Sequence, residues 1–440
     1  MKNLVFVAAL AFIPALAVLL SLNKRWTGWM FYGMMAGLCL YEQTSINFLS
    51  YPSYKGTALG MEISLMHLLA LAVILALGIR GKWQPVLPEG GIRLYALFFL
   101  LCLPSLRNAD SVLMGWLEVW KLLMLFFIWH AVYGYLVATG DAKTVVMSLA
   151  VLIIANTVKI IQQHYAFMWT QGLFPHKNTM AMAMNLIGPI FFAGYLQYGL
   201  GNRLGITCAV AFAGAGLCTM WSYSRGAIVM LPIGYGMAAG LAFLGARRSR
   251  NRGRMLVRMA PIGLAGLVGL AAIWPHLVER FQGAPAESKF TRIFLAHCAW
   301  EMMKAHPWAG VGVNNWSLNL DPVHPYHEIV EEKLDVDRDF SGIVETAYLL
   351  TGAECGFPAL ITMVVWFLWH WVASLKAAWR LRGTRWHFIA AGLSGGLIVS
   401  YLQTVLEWVL RQRQTMFLLL MCFGLVAWLR TLRREKELAA

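Results

Sequence analysis

Twelve or thirteen apolar stretches run through this chain, each of about the 20 residues that an α-helix needs to cross a bilayer, and they constrain its fold more than any motif does. They start near Leu4, Trp26, Met61, Ile92, Val112, Thr144, Thr179, Gly205, Ala227, Met259, Gly356, His387 and Met416. Composition agrees. With 59% hydrophobic and 13% charged residues, the chain lies outside the range of a soluble domain. The expected fold is an all-α polytopic membrane protein, a bundle of 12 to 13 transmembrane helices.

The formal net charge of +15 does not point to nucleic acid, because the cations sit in short loops at alternate helix ends. Asn23-Lys24-Arg25, Arg80 to Arg93, Arg203, Arg247 to Arg254, Lys376 to Arg385 and Arg430 to Lys436 all fall on one side of the expected bundle. That side is read as cytoplasmic. The first span shows no small-residue cleavage site and is followed directly by another span, so it is expected to be a retained helix rather than a signal peptide. Seven cysteines lie mostly inside apolar runs without a CxxC pair and read as small core residues. No tandem repeat or low-complexity tract interrupts the pattern. Residues 1–440 are therefore expected to form one transmembrane domain, with one long extramembrane insertion at 275–342 that carries part of the active site and faces away from the basic loops.

Ionisable residues inside apolar spans are costly and usually face a cavity or a partner. Glu118 and Lys121 share a helix face at i, i+3 spacing and read first as a self-neutralising structural pair. Lys159, His164 and the run His176-Lys177-Asn178 fall at or near the outer face, where a cationic lining would receive an anionic head group. Arg225 breaks the charge pattern by standing in Ser224-Arg225-Gly226 on the outer side. Its guanidinium matches phosphate oxygens bidentately and stays charged; the alternative is snorkelling to the interface or pairing with an acid. Glu407, Arg411 and Arg413 form a second outer-face cluster, either ligands of an acceptor's lipid phosphates or interfacial anchors.

Within the insertion, residues 291–306 place Ile293, Phe294, Ala296, Trp300 and Met303 as the apolar positions of an amphipathic helix lying over the mouth of the bundle. Arg292 opens it, as a second phosphate clamp or as one half of a surface ion pair. Pro307 stops the helix, and Gly310 and Gly312 supply a tight turn in Pro307-Trp308-Ala309-Gly310-Val311-Gly312. Downstream, His324 and His327 stand beside carboxylates. Zinc or calcium ligation, general acid or base work by one histidine, and an ordinary solvated acidic loop are all open for them. The intervening prolines disfavour a helical ligand pair, so no metal or other cofactor is expected.

Four of these segments occur together in an order that resembles the bacterial O-antigen ligase and O-antigen polymerase superfamily. They are Gly172-Leu173-Phe174-Pro175-His176-Lys177-Asn178, Ser224-Arg225-Gly226, Arg292 through Gly312, and Tyr348-Leu349 leading to Ala353-Glu354-Cys355-Gly356. The resemblance covers roughly residues 112–372. It implies a GT-C-like bundle with a periplasmic loop in the bacterial inner membrane, and a metal-independent glycosyltransferase acting at the periplasmic face. The implied donor is an undecaprenyl-pyrophosphate-linked glycan, and the implied acceptor a lipid-linked glycan or the lipid A-core. Membrane lipids and a chain-length regulator are the further partners. Arg225 and Arg292 receive the role of holding the donor's pyrophosphate and stabilising it as leaving group, which suits fixed cations in a water-poor site. His176, Lys177, Asn178, Arg411, Arg413 and Tyr348 are the expected substrate-binding residues.

One departure from the family pattern affects the chemistry. Ligases of this superfamily typically carry a His-Asn pair before the Tyr-Leu, with the histidine as acceptor-activating base, and here the positions read Glu345-Thr346. A buried glutamate whose pKa rises toward neutrality can take a hydroxyl proton, so Glu345 is the expected base, with His324 or His327 as alternatives. Glu345 as the ion-pair partner of Arg292 or Arg338 is the structural reading. The missing histidine favours polymerisation of O-antigen or exopolysaccharide repeat units over ligation of the finished glycan to lipid A-core or a protein. A transporter would share the spans and a cationic cavity, but the two related halves with interrupted helices that such proteins often show are not found.

Overall fold

The computed structural model describes residues 2–83, 89–246, 249–282, 286–321, 323–326 and 342–433. It is a helical membrane protein throughout, apart from one hairpin among the described residues. The backbone packs as two compact units. The first comprises residues 1–145, 287–369 and 404–425; the second comprises 146–286, 370–403 and 426–440.

Unit one opens with α1 (Lys2–Leu22), α2 (Lys24–Cys39) and the short α3 (Tyr41–Thr44). Strands β1 (Ser45–Ser50) and β2 (Gly60–Ser64) then pair antiparallel, with Ser45 opposite Ser64. Next come α4 (Leu65–Ile79), α5 (Gly90–Cys102) and α6 (Val112–Thr139). Polar side chains start several of these helices by accepting from the orphan amides of the first turn. Asn23 accepts from the Arg25 amide at 2.9 Å, and the Glu89 carboxylate caps α5 by accepting from Gly91 and Ile92 at 2.6 and 3.1 Å. Gly140, at φ 68°, ends α6 in the left-handed conformation that glycine takes without strain.

Unit two contains α7 (Ala142–Tyr165) almost whole, then α8 (Lys177–Tyr198), α9 (Arg203–Trp221), α10 (Arg225–Gly245) and α11 (Ser249–Gln282). The chain returns to unit one through α12 (Ala286–Ala305). α13 (Ala347–Arg380) and α15 (Arg413–Thr431) each contribute to both units, and α14 (His387–Gln403) lies in unit two. Helix α8 is the core of this unit, buried over nearly its whole apolar length. Glycines let α14 lie against it backbone to backbone. A Cβ at Gly392 would overlap Ile190, and one at Gly396 would overlap the Leu186 carbonyl.

Each of the thirteen apolar stretches falls on a helix, with two boundary corrections. Met61 lies in β2 and its helix begins at Leu65; Gly356 lies inside α13, nine residues after its start. Eight described helices are long and apolar enough to cross a membrane, and two shorter apolar helices cover Val7–Leu22 and Leu65–Ile79. α11 continues past residue 275 to Gln282, and α12 begins at Ala286.

Candidate functional site

The two glycine motifs of the sequence are halves of one backbone junction in unit one. α13 is broken at Gly356, which has φ 80° and ψ 174°. The break frees carbonyls, and the turn after α12 satisfies them: Val311 and Gly312 donate their amides to the Ala353 and Glu354 carbonyls at 2.9 and 3.1 Å. In return the Phe357 amide donates to the Pro307 carbonyl at 2.8 Å. A Cβ on Gly310, at φ 66°, would overlap the Glu354 backbone, and one on Gly356 would come within 2.6 Å of the Trp308 backbone. Close approach and left-handed backbone together require glycine at both positions.

Asn314 and Asn315 lock the far side of this turn. Asn314 Oδ1 accepts from the Thr57 amide at 2.8 Å, and Nδ2 donates to the Ala58 and Met114 carbonyls at 2.9 Å each. Asn315 Oδ1 accepts from the Ser111 amide at 2.8 Å. Both side chains are buried, so their satisfied bonds hold the turn against the 54–58 segment and the start of α6.

Beneath the junction lies a buried ion network. Arg411 donates through Nη1 to Glu354 Oε2 at 2.7 Å and through Nη2 to Glu118 Oε1 at 3.0 Å. Lys121 Nζ stands 2.6 Å from Glu118 Oε2, and Thr57 Oγ1 donates to the same oxygen at 2.8 Å. Two cations thus face two carboxylates, which is how charges are tolerated away from water. Burial by itself would lower the pKa of Arg411, but Glu354 and Glu118 hold it above its ordinary value. The Glu118–Lys121 pair has the structural geometry its spacing suggested. Arg411 is corrected: it sits in the network, not on an exposed outer face, because carboxylates on α6 and α13 engage its guanidinium. Arg413 is half-buried and also engaged, donating from Nη1 to the Tyr41 hydroxyl at 3.0 Å and pairing with Glu62.

A second arginine–carboxylate pair is built differently. Arg292 on α12 approaches Glu345 Oε2 at 3.6 Å, with the two side chains 43% and 38% exposed. α12 docks through Leu295, Cys298, Ala299, Met302 and Met303, which pack with Val344, Leu350 and Ala353. This stripe corrects the expected apolar face, since Ile293 and Trp300 are exposed; spacing of i, i+3, i+4, i+7 and i+8 selects Leu295 and its partners. Glu345 is held just before α13, where the Ala347 amide donates to the Thr404 carbonyl at 3.3 Å. Desolvation raises the Glu345 pKa, and Arg292 opposes it only in part. Tyr348, one turn on, is half-buried. His324 Nε2 lies 3.2 Å from Asp110 Oδ2, which also accepts from Asn319. His327 lies outside the described residues.

In unit two, the segment before α8 is tied down from α7. Gln163 Oε1 accepts from the Gln171 and Gly172 amides at 3.1 and 2.8 Å, and Asn156 Oδ1 accepts from the Leu173 amide at 2.9 Å. His176 caps α8, its Nδ1 accepting from the Asn178 amide at 3.2 Å. Its pKa is lowered by burial and then by Lys177. Lys177 Nζ stands 5.3 Å from the Trp169 ring centroid. The Thr170 hydroxyl donates to the Trp221 carbonyl, and His164 stacks on the Trp221 ring at 4.1 Å. These contacts bring His164 and Thr170 against Trp221, ahead of the turn that leads through Tyr223, at φ 51°, to Arg225 at the first position of α10.

Sequence reasoning missed Glu354 and Asn314 as positioning groups and the Arg411 link. Glu354 stood in a motif, but nothing local announces an arginine 57 positions away.

Helices long and apolar enough to cross a membrane, with paired and half-exposed charges where those helices end, define a multi-pass membrane protein. A family model described as O-antigen ligase matches residues 210–364. Over that segment the chain is similar to the O-antigen ligase family, on a multi-pass helical background. The matched segment contains Arg225, Arg292, Glu345 and the whole Pro307–Gly356 junction, while Arg411 and the His176 segment lie outside it. No curated protein matches the chain.

Proposed function

We propose that the protein polymerises undecaprenyl-pyrophosphate-linked oligosaccharide repeat units at the periplasmic face of the bacterial inner membrane. The half-exposed Arg292–Glu345 pair carries this reading. A carboxylate with a raised pKa and a cation within 3.6 Å supply the two functions that glycosyl transfer from a pyrophosphate requires. Glu345 takes the proton of the acceptor hydroxyl as its oxygen bonds to the anomeric carbon of the donor sugar. The anomeric carbon–oxygen bond to pyrophosphate breaks, and Arg292 stabilises the charge that gathers on the leaving group. The resemblance also gives Arg225 a phosphate-binding role.

The polymerase reading rests on Glu345 occupying the position where ligases of the superfamily typically carry histidine. Ligation of a finished glycan to lipid A-core is the second reading, favoured by the description of the matched family model. The purified protein in nanodiscs, given the lipid-linked repeat unit alone or with delipidated acceptor core, separates the two. A ladder of lengthened lipid-linked products without core is expected; transfer only to the core would make the protein a ligase.

A further inference from the structure

At the end of unit two away from Arg225, the helix ends enclose a cavity of about 450 Å³. It is lined by the last turns of α8 and α10, the first turns of α11, and the link between α13 and α14. Its polar lining is Gln197, Asn251, Arg254, Arg258, Thr384 and His387, and no carboxylate is among the described lining residues. α8 has its Lys177 end at the other face, and nineteen or twenty residues at a 1.5 Å rise separate the ends by about 30 Å, one hydrocarbon thickness. The cavity therefore lies at the end of these helices that carries the basic residues Arg252, Arg254, Arg382 and Arg385.

The site is built rather than incidental. Arg258 is anchored by donating from Nη1 to the Leu196 carbonyl at 2.5 Å, and Gln197 Nε2 donates to the Thr384 carbonyl at 3.3 Å. His387 is buried, with Nε2 3.1 Å from the Leu241 carbonyl, and the missing side chain of Gly245 leaves room for its ring. Arg254, one helical turn from Arg258 on α11, is exposed at the rim. Two guanidiniums on one helix face without a neighbouring carboxylate in the lining favour an anion, and their planar forks match phosphate oxygens. The apolar walls, Leu196, Ala242 and Met255, suit the first carbons of a lipid. Basic pockets between helices at a membrane face are a known mode of phospholipid recognition.

We propose that this cavity binds a phosphate anion, carried on a lipid headgroup or free in solution, with Arg254 and Arg258 as its ligands. The site serves to bind rather than to catalyse.

The test uses the full-length delipidated protein in detergent. Native mass spectrometry titrates dioleoyl-phosphatidylglycerol and dioleoyl-phosphatidylcholine, and thermal shift reads inorganic phosphate, for wild type, Arg254→Gln, Arg254→Glu and Arg258→Gln. Arg254 is exposed, so its variants should melt with the wild type when no ligand is added. The expected result is phosphatidylglycerol binding that weakens at least tenfold in Arg254→Glu and less in Arg254→Gln, with phosphatidylcholine unaffected. A phosphate-induced shift in wild type that is lost in the Arg254 variants also supports the site and makes the soluble ion a ligand. Phosphatidylglycerol affinity and phosphate response both unchanged in the Arg254 variants would overturn the proposal, even if Arg258→Gln, which also loses backbone contacts, binds poorly.

Discussion

Two arginine–carboxylate pairings in the same unit share a chemistry and differ in everything that decides its use. Arg411 meets Glu354 and Glu118 at 2.7 and 3.0 Å, with no side chain of the three more than 9% exposed. Arg292 meets Glu345 at 3.6 Å with both side chains about two-fifths exposed. Charges deep in a low-dielectric interior must be satisfied permanently, so Arg411 is committed to holding α6, the kink of α13 and the segment after Thr404 together. A loose, wetted pair is worth little to stability, and its members can turn to a substrate's proton and anion. Burial separates a structural clamp from a loose surface pair more sharply than residue type does.

The largest effect should come from breaking the buried side. Arg411→Ala strands Glu118 and Glu354 and should cost about 3–5 kcal/mol, read as a lower unfolding temperature in detergent and a poorer yield of folded protein. A wild-type melting curve for this variant would erase the distinction. Glu345→Gln should leave that curve unchanged and slow repeat-unit transfer by roughly 10²–10⁴-fold, measured from the rate of product-ladder growth. Equal loss of folding and activity would instead make Glu345 structural.

Arg292→Ala should follow, with transfer slowed about 10²-fold and stability changed by less than ~1 kcal/mol, as for an exposed pair. The smallest effect is a displacement in pH. Glu345 must be ionised to accept a proton, so activity should rise with pH through its raised pKa and fall on the acid side. Arg292 lowers that pKa, so in Arg292→Gln the acid limb of log kcat/KM should move to higher pH. The same sign governs stability: burial raises the folded-state pKa of Glu345, so its ionisation costs the folded state as pH rises through that range. An acid limb in Arg292→Gln at the wild-type position would show that another group controls it.

Much of the fold was legible because bilayer crossing imposes one dominant length and one dominant composition, and all thirteen apolar stretches fall on helices. The hairpin at Ser45–Ser64 was not, since its pairing depends on neighbours rather than on a strong alternating pattern. Glycines in Pro307-Trp308-Ala309-Gly310-Val311-Gly312 and in Ala353-Glu354-Cys355-Gly356 were visible as separate motifs. Their meaning as one junction was not, because the hydrogen bonds that join them run between segments more than forty residues apart. Arg292 and Glu345 were singled out separately as anion clamp and base, and their pairing was open.

By itself the sequence determined the helical membrane architecture, the i, i+3 pairing of Glu118 with Lys121, and the presence of Glu345 just ahead of Tyr348-Leu349, since each is a local property of spacing or residue type. Only the tertiary structure decided which arginines are spent on structure. An arginine near a helix end reads the same in sequence whether it faces a lipid phosphate or a carboxylate brought from another helix, and the free energy that separates the two depends on water excluded by distant parts of the chain.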